Sequence, residues 1–420
     1  MISLKKVLSE IKPTKEEEEK LRQASEEFII RLNSSLKDAK AIVSGSAAKH
    51  TWLKNKYDID IFVIFNYRKY SGKSDSLSDI LGKSISSKFR KSERLHGSRD
   101  YFRVKFNGFE FEIIPVLDIK NSSQAKNITD VSPLHAKWVS RHTKLADDIR
   151  LLKQFCKSSG VYGAESYIRG FSGYICEILV IKYSSFLSTI RSASKWDEKE
   201  KTILDVEKHY KGKNPLAYLN ESKTISPIII IDPVQKERNA AAAISEEKYK
   251  LFISQCKKFL KNPSEKFFAI KQFSTDEVIK SAEKNPVILF TINPLDGKID
   301  VIGSKLLKAY EHISQKFAEQ DFKIKKKGWS WNKNEDAIFY FIFDSKPLSK
   351  IKIHTGPEIR LNEHAEKFKK LHRQTFIKGN RIYAKIPRRF TKPEQLAKEL
   401  LNDQYIKERT KKISLSRHAN

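Results

Sequence analysis

The spacing of apolar and polar residues predicts a mixed α/β unit over the first 120 residues. A charged helix is expected from Thr14 to about Leu36, with a capping box formed by Thr14 and Glu17 at its start. A buried strand is expected over 58–65, and a hairpin over 101–116 that turns at Asn107-Gly108. Further elements are expected at 41–44 (strand), 46–53 (start of a helix) and 76–91 (helix).

The pattern becomes helical after Pro133 and mixed again after Asn262. Helices are expected over 145–155, 173–186 and 240–259, with a strand at 228–231 between two prolines. Beyond 262, strands are expected at 287–291, 338–343, 351–354 and 381–386, with helices at 304–318 and 393–401. The predicted fold is therefore α+β and multidomain, divided into residues 1–130, a mostly helical 131–255 and an α+β 256–420.

Composition narrows the choice of partner. The chain of 420 residues is 39% hydrophobic, enough to fill several cores, and 81 Lys and Arg against 51 Asp and Glu give a net charge of +30. Residues 321–420 alone hold 25 basic and 11 acidic residues, so nearly half the excess lies in the last quarter. Such a surplus favours a polyanion, and nucleic acid is preferred to a membrane because no apolar run is long enough to span one.

Cysteine usage and the first residues favour a cytoplasmic protein. Three scattered cysteines without a CxxC pair argue against a disulfide framework or a zinc site. Residues 1–10 lack the apolar core and small-residue cleavage site of a secretory signal.

Two pairs of acids stand at strand positions in the first unit. Asp58 and Asp60 would share one face of a strand, and Glu110 and Glu112 one face of another. Hard oxygen ligands at this spacing suit Mg²⁺. The alternative is an edge strand with exposed acids, but Gly45-Ser46 upstream forms a turn at a helix start, where backbone N–H groups bind phosphate. The combination predicts a metal-dependent nucleotide site.

The chain resembles the nucleotidyltransferase superfamily and, within it, the archaeal-type (class I) CCA-adding enzymes, which are tRNA nucleotidyltransferases. Beyond the acids, the resemblance rests on blocks that follow the family's order between residues 40 and 245. They are T-W-L-K at 51–54, S-P-L-H-A-K-W at 132–138, R-L-L-K at 150–153, G-V-Y-G-A-E at 160–165, R-G-F-S-G-Y at 169–174, D-P-V at 232–234 and R-N-A-A at 238–241. Beyond residue 250 the resemblance is limited to H-T-G-P at 354–357 and R-R-F-T at 388–391.

The resemblance implies a role for each matching residue. Asp58, Asp60 and Glu112 would be the catalytic acids and metal ligands, with Glu110 left open as the third. Contacts to the nucleotide would come from Ser46 and Lys49 (phosphate), Lys153 and Tyr162 (triphosphate), and His135 and Arg238 (base). The three predicted parts become a nucleotidyltransferase palm (1–130), a helical neck (131–255) and a basic body and tail (256–420).

Each candidate also has a structural interpretation. His135 would cap a loop, Lys153 would be an ordinary solvated lysine, Tyr162 would be packed, and Arg238 would pair with Asp232 or Glu237. Aromatic residues beside the basic run 323–327 are interpreted mainly as packed core. The arginines at 388–389 are interpreted as phosphate contacts.

Three positions depart from the family's usual residues. Lys49 stands where the family commonly has Arg, which keeps the charge but loses the guanidinium fork. Asp58 and Asp60 stand where the family commonly has Glu followed by Asp. Glu112 stands where the family commonly has Asp. A shorter acidic side chain on one strand and a longer one on the other would still allow the carboxylates to surround a metal ion.

The expected activity is therefore addition of C, C and A to the 3′ end of tRNA from CTP and ATP, with Mg²⁺ and without a nucleic-acid template. The expected partners are the acceptor and TΨC arms of tRNA, with a homodimer left open. The alternatives are a poly(A) polymerase or an oligoadenylate or cyclic-nucleotide synthase, and an RNA-binding homologue without activity.

Overall fold

The computed structural model describes residues 3–54, 58–333 and 335–416. It divides the chain into two compact units, residues 1–271 and 272–420. The first unit contains two large hydrophobic cores, one formed mainly by residues 24–131 and the other mainly by residues 138–268, and a small cluster around Ile229. The boundary between the units lies 16 residues beyond the predicted one at 255, and the three-part division stays a prediction.

A five-stranded sheet forms the first core, in the order β1-β2-β5-β4-β3. Its strands are β1 (Ala39–Val43), β2 (Asp58–Phe65), β3 (Glu93–Leu95), β4 (Tyr101–Phe106) and β5 (Phe109–Leu117). The first helix, α1 (Leu4–Ile11), belongs to the second core through Val7. The helices of the sheet region are α2 (Lys15–Asn33), α3 (Gly45–Ala48), α4 (Tyr67–Tyr70) and α5 (Leu77–Lys88). The Thr14–Glu17 capping box forms as predicted, and the β4–β5 turn at Asn107-Gly108 has positive φ at both residues.

The central strands β2 and β5 run parallel, and buried side chains alternate with less buried ones in the first half of each strand. Ile59, Ile61 and Phe111 are fully buried on one face. Phe28 of α2 packs on that face, with its ring 4.1 Å from the ring of Phe111. The acids of both strands therefore point to the opposite face.

Helices build the second core. They are α6 (Ser132–Val139), α7 (Ala146–Ser158), α8 (Gly173–Tyr183), α9 (Phe186–Ala193) and α10 (Glu246–Lys261). A small sheet accompanies them, in the order β6 (Thr202–Asp205), β7 (Ile228–Asp232) and β8 (Gln235–Asn239).

Two predicted helices of this region are wrong in extent. The helix expected over 173–186 ends at Tyr183, because Ser184 adopts a left-handed conformation before α9 begins. The helix expected over 240–259 starts only at Glu246. The side chain of Asn239 accepts hydrogen bonds from Ile230 and Ala241 and so holds a turn, and Ser245 caps the helix. The helix expected from Ser46 to Leu53 is likewise only the four residues of α3.

The second unit contains a four-stranded and a three-stranded sheet, each with its own helices. Its helices are α11 (Thr275–Ala282), α12 (Ile299–Glu319), α13 (Asn362–Leu371), α14 (Pro393–Leu400) and α15 (Gln404–Lys407). Its strands are β9 (Val287–Asn293), β10 (Ile324–Ser330), β11 (Ala337–Phe343), β12 (Ile351–Glu358), β13 (Thr375–Lys378), β14 (Arg381–Pro387) and β15 (Lys412–Leu415).

Among the helices of the described ranges, none alone has the length and apolarity of a membrane span; α8 and α9 pass such a test only when joined across a 94° bend.

Candidate active site

A cleft of about 750 Å³ opens in the first unit beside the start of β2. Its wall includes Ser44, Gly45 and Asp60 on one side and His135 and Arg238 on another. Gly45 has φ +60° and lies directly against the carboxylate of Asp60, so that a Cβ built on Gly45 would stand 1.6 Å from Asp60 Oδ2. Only glycine allows the turn and the acid to come this close. The turn and one predicted catalytic acid therefore meet at the cleft.

The parallel register places the four acids on one face of the sheet. Asp58 lies opposite Glu110 and Asp60 opposite Glu112 on the neighbouring strands. Arg103 of β4 reaches both glutamates: its Nη2 donates to Glu112 Oε1 at 3.0 Å, and its Nε lies 2.8 Å from Glu110 Oε1. Within residues 3–54, 58–333 and 335–416, no three His, Cys, Asp or Glu side chains converge closely enough to hold a metal ion.

Behind the cleft wall, a buried carboxylate binds two lysines. Glu177 of α8 is fully buried and accepts hydrogen bonds from Lys49 Nζ at 2.7 Å, Lys153 Nζ at 2.8 Å and Thr51 Oγ1 at 3.0 Å. Burial opposes ionisation of Glu177, but the two ammonium groups outweigh it and lower its pKa to about 2. Burial also lowers the pKa of Lys153, against the attraction of Glu177. The cluster joins the segment after α3 to helices α7 and α8.

A second buried carboxylate organises the opposite side of the cleft. Asp232 is fully buried, accepts a hydrogen bond from His135 Nε2 at 2.9 Å and forms an ion pair with Arg238. The Tyr174 ring packs at a tilt of 35° against the His135 ring, with centroids 4.3 Å apart, and Tyr174 donates its hydroxyl to Asp232 at 3.3 Å. Burial would raise the pKa of Asp232, but His135 and Arg238 together hold it below its ordinary value. The imidazole and guanidinium are thus fixed in orientation at the cleft.

The structure brings some of the predicted site residues into the cleft and leaves others behind its wall. Asp60, Lys49, His135 and Arg238 are among the lining residues. The remaining predicted residues lie outside the cleft lining: Ser46 in α3, Asp58 and Glu112 on the strand face, Lys153 in the buried cluster, and Tyr162. Tyr162 comes within reach of Lys153, since a Cβ on Gly173 would touch both side chains.

Sequence reasoning missed several contributors to the cleft. Glu177 gives no signal in the sequence, because an acid inside an apolar helix has no motif of its own. Asp232 and Tyr174 lie within the matching blocks, but the sequence predicts no role for them beyond the pairing of Asp232 with Arg238. Ser44 is buried at the cleft wall, and its hydroxyl finds no hydrogen-bond partner within the described residues.

Three protein-family models match successive parts of the chain. Residues 147–269 match the second domain of tRNA nucleotidyltransferase, and residues 287–412 match the C-terminal domain of the CCA-adding enzyme. Residues 2–144 match the Second Messenger Oligonucleotide or Dinucleotide Synthetase domain.

Curated relatives cover nearly the whole chain. The CCA-adding enzyme of Methanosarcina barkeri is 32% identical over 374 residues, covering 86% of this chain and 80% of its own. The one from Methanocaldococcus jannaschii is 31% identical over 409 residues, covering 95% and 90%. The one from Nanoarchaeum equitans is 32% identical over 382 residues, covering 90% and 92%.

Among solved structures, one of Cid1 that is described by its RNA terminal uridylyl transferase activity superposes with a TM-score of 0.50. It is 14% identical, and the match covers 64% of this chain and 98% of that one. At this identity the likeness concerns the fold, which is that of a nucleotidyltransferase. The chain is 31–32% identical to these archaeal proteins over most of its length, and two of its domains match family models of tRNA nucleotidyltransferase and the CCA-adding enzyme. It therefore belongs to the archaeal-type CCA-adding enzymes, a family of tRNA nucleotidyltransferases.

Proposed function

We propose that this protein adds C, C and A to the 3′ end of tRNA, taking the nucleotides from CTP and ATP and releasing pyrophosphate. The observation that supports this most is the close contact between Gly45 and Asp60 at the cleft. The proposed catalytic acid would then lie beside a turn whose N–H groups can bind phosphate. Membership of the CCA-adding family gives this arrangement its substrate.

The strand acids fit Mg²⁺ in their chemistry and in their register. Asp58, Asp60 and Glu112 offer hard carboxylate oxygens from one face of two neighbouring strands, and these residues would hold the ion. Their side chains would have to turn toward one another to do so, because within the described residues they do not converge. When bound, Mg²⁺ would neutralise charge that develops on the attacking hydroxyl, the α-phosphate and the leaving pyrophosphate. Because Arg103 now pairs with Glu112, that acid would have to leave the guanidinium to reach an ion.

The remaining residues would bind and orient the nucleotide. Lys49 would face the triphosphate, with Ser46, Lys153 and Tyr162 supporting that end of the cleft. Arg238 and His135 would donate hydrogen bonds to the base. Arg238 presents a fixed fork of donors, which can satisfy acceptors on either cytosine or adenine, and Asp232 keeps the fork in place.

The basic second unit would bind tRNA through the acceptor and TΨC arms. Its excess of Lys and Arg suits contacts to phosphates that recognise helical shape. Arg388 pairs with Asp321 and Arg389 with Glu399. Contacts from these two arginines would therefore have to compete with an internal carboxylate. A tRNA substrate implies a cytoplasmic location.

The direct test is extension of a tRNA that lacks its last three nucleotides, with all four triphosphates and Mg²⁺ present. We expect a product three nucleotides longer whose 3′ end reads CCA. A homopolymer tail would favour a poly(A) or poly(U) polymerase. A cyclic or short oligonucleotide made without tRNA would favour the synthetase class that residues 2–144 match. Absence of any product, with tRNA bound, would favour an inactive RNA-binding homologue.

A further inference from the structure

Glu177 is a fully buried charged group near the cleft, and no proposed step uses it. Its side chain is 0% exposed, and both carboxylate oxygens are occupied: Oε1 by Lys153 and Thr51, and Oε2 by Lys49. A carboxylate in this position is costly unless it is paired. The pairing therefore has to explain why the chain places an acid inside the apolar helix α8.

The two lysines differ in what they face. Lys153 is buried, and its ammonium group already donates to Thr51 Oγ1 at 2.8 Å and to Glu177 Oε1 at 2.8 Å. Lys49 lies on the cleft wall and keeps 12% of its side chain exposed. Lys49 is therefore the cation of this cluster that a ligand in the cleft can reach, and Glu177 anchors its ammonium group.

A flexible lysine needs such an anchor to act as a fixed charge. Its four-carbon stem has many rotamers to lose on binding, and its ammonium group lacks the planar fork of arginine. The family that this chain resembles commonly has arginine at the position of Lys49. A carboxylate held by a second lysine and a threonine can fix the orientation of the Lys49 ammonium group, which the lysine side chain alone does not fix.

We infer that Glu177 is a positioning residue for triphosphate binding, which holds the Lys49 ammonium group toward the phosphates while Lys153 and Thr51 hold Glu177. This inference rests on the proposed function for the identity of the ligand. It adds a group that acts on the triphosphate only through Lys49. The cluster carries two positive charges and one negative charge, so it keeps a net positive charge for the phosphates.

The sign of the electrostatic effect separates positioning from bulk charge. Replacing Glu177 by Gln removes a negative charge behind the phosphate site, which on charge alone would strengthen anion binding. If binding weakens instead, the lost quantity is the orientation of Lys49. The probe is inorganic tripolyphosphate, which has the phosphates without the base, measured by titration calorimetry on the full chain.

We expect Glu177→Gln to weaken tripolyphosphate binding about tenfold, and to raise KM for CTP more than it lowers kcat. In a Lys49→Met background, Glu177→Gln should change tripolyphosphate affinity less than about twofold, because the two residues act as one unit. Asp148→Asn is the matched control. Its carboxylate caps the backbone N–H of Phe186 in the same helical core, and it should leave the affinity unchanged.

If Glu177→Gln does not fold, the double variant Glu177→Gln with Lys153→Met removes both buried charges together. It should bind tripolyphosphate more weakly than Lys153→Met alone, in which Glu177 can still hold Lys49. Unchanged or tighter binding in either variant would overturn the inference, as would equal effects of Glu177→Gln in the native and the Lys49→Met backgrounds. Calorimetry requires no catalysis. A native chain that binds tripolyphosphate but extends no tRNA would therefore contradict the proposed function and leave the role of Glu177 to be judged by the same titration.

Discussion

At the scale of single residues, the candidate site depends on one glycine and two buried carboxylates. Gly45 permits the approach of Asp60, Glu177 fixes Lys49, and Asp232 fixes Arg238. The sequence could predict Gly45 and Asp60, because turn chemistry and strand alternation are local signals. It could not predict Glu177, because its partners lie 24 and 128 residues away and only the packing of three segments brings them together.

Gly45→Ala should reduce nucleotide transfer by roughly 100-fold or more, since the methyl group would overlap the Asp60 carboxylate and displace it. Gly160→Ala is the matched control, because Gly160 has φ +68° and a Cβ added there would meet no atom within 4 Å. The control carries the same backbone strain, about 1 kcal/mol, without the overlap. Single-turnover incorporation measures both. Equal losses in the two variants would mean that backbone strain alone accounts for the effect.

The buried position of Glu177 predicts a specific dependence of stability on pH. Its pKa is about 2 in the folded chain and 4.5 as an ordinary value. Because the folded-state pKa is depressed, the stabilisation is present above pH 4.5 and disappears as pH falls toward 2. The difference in thermal unfolding midpoint between the native chain and Glu177→Gln should therefore narrow from about pH 5 to about pH 3. A difference in unfolding midpoint that stays constant across this pH range would contradict the depressed pKa of Glu177.

At the scale of elements, sheet alternation was predictable where helices cover one face. The β2 strand has the predicted bounds, and the β4–β5 hairpin forms around the predicted turn. Short strands such as β6 and β8 were missed, because four or five residues carry too little periodicity. The alanines at 240–243 have high helix propensity, yet the side chain of Asn239 holds them in a turn, and three of them line the cleft.

Helix α2 should contribute to stability through one buried aromatic residue that packs on the sheet. Phe28 is fully buried and stacks between Phe89 at 4.6 Å and Phe111 at 4.1 Å. Phe28→Ala should lower the free energy of unfolding by about 3–5 kcal/mol. Ile30→Ala on the same helix, at a site 72% exposed, should change it by less than about 0.5 kcal/mol. Urea unfolding of both variants checks the prediction, which a small effect of Phe28→Ala would contradict.

At the scale of the whole molecule, the net charge of +30 is the property that composition alone establishes. Charge predicts a polyanion partner and cannot identify it, since contacts to phosphate carry no sequence information. The identity of the partner came instead from blocks of residues spread over 40–245, and from full-length relatives. The α+β class predicted beyond 256 is correct, although the sequence does not predict that the strands form two separate sheets.

The affinity for tRNA should fall steeply with salt, because binding would release counterions from the phosphates. We expect the logarithm of the association constant to fall with the logarithm of KCl concentration with a slope of about −4 or steeper. Filter binding of tRNA to the full chain from about 50 to about 300 mM KCl measures the slope. Affinity that is insensitive to salt would contradict a binding surface dominated by lysine and arginine.

We propose that nucleotidyl transfer takes place at Asp60, beside the Gly45 turn. The most direct measurement is the single-turnover rate of CMP transfer to a tRNA that lacks its last three nucleotides, compared between the native chain and Asp60→Asn. We expect a rate lower by roughly 1,000-fold or more in Asp60→Asn with unchanged tRNA affinity, since a carboxylate essential to the reacting centre is lost. An Asp60→Asn variant that transfers CMP at the native rate would contradict it.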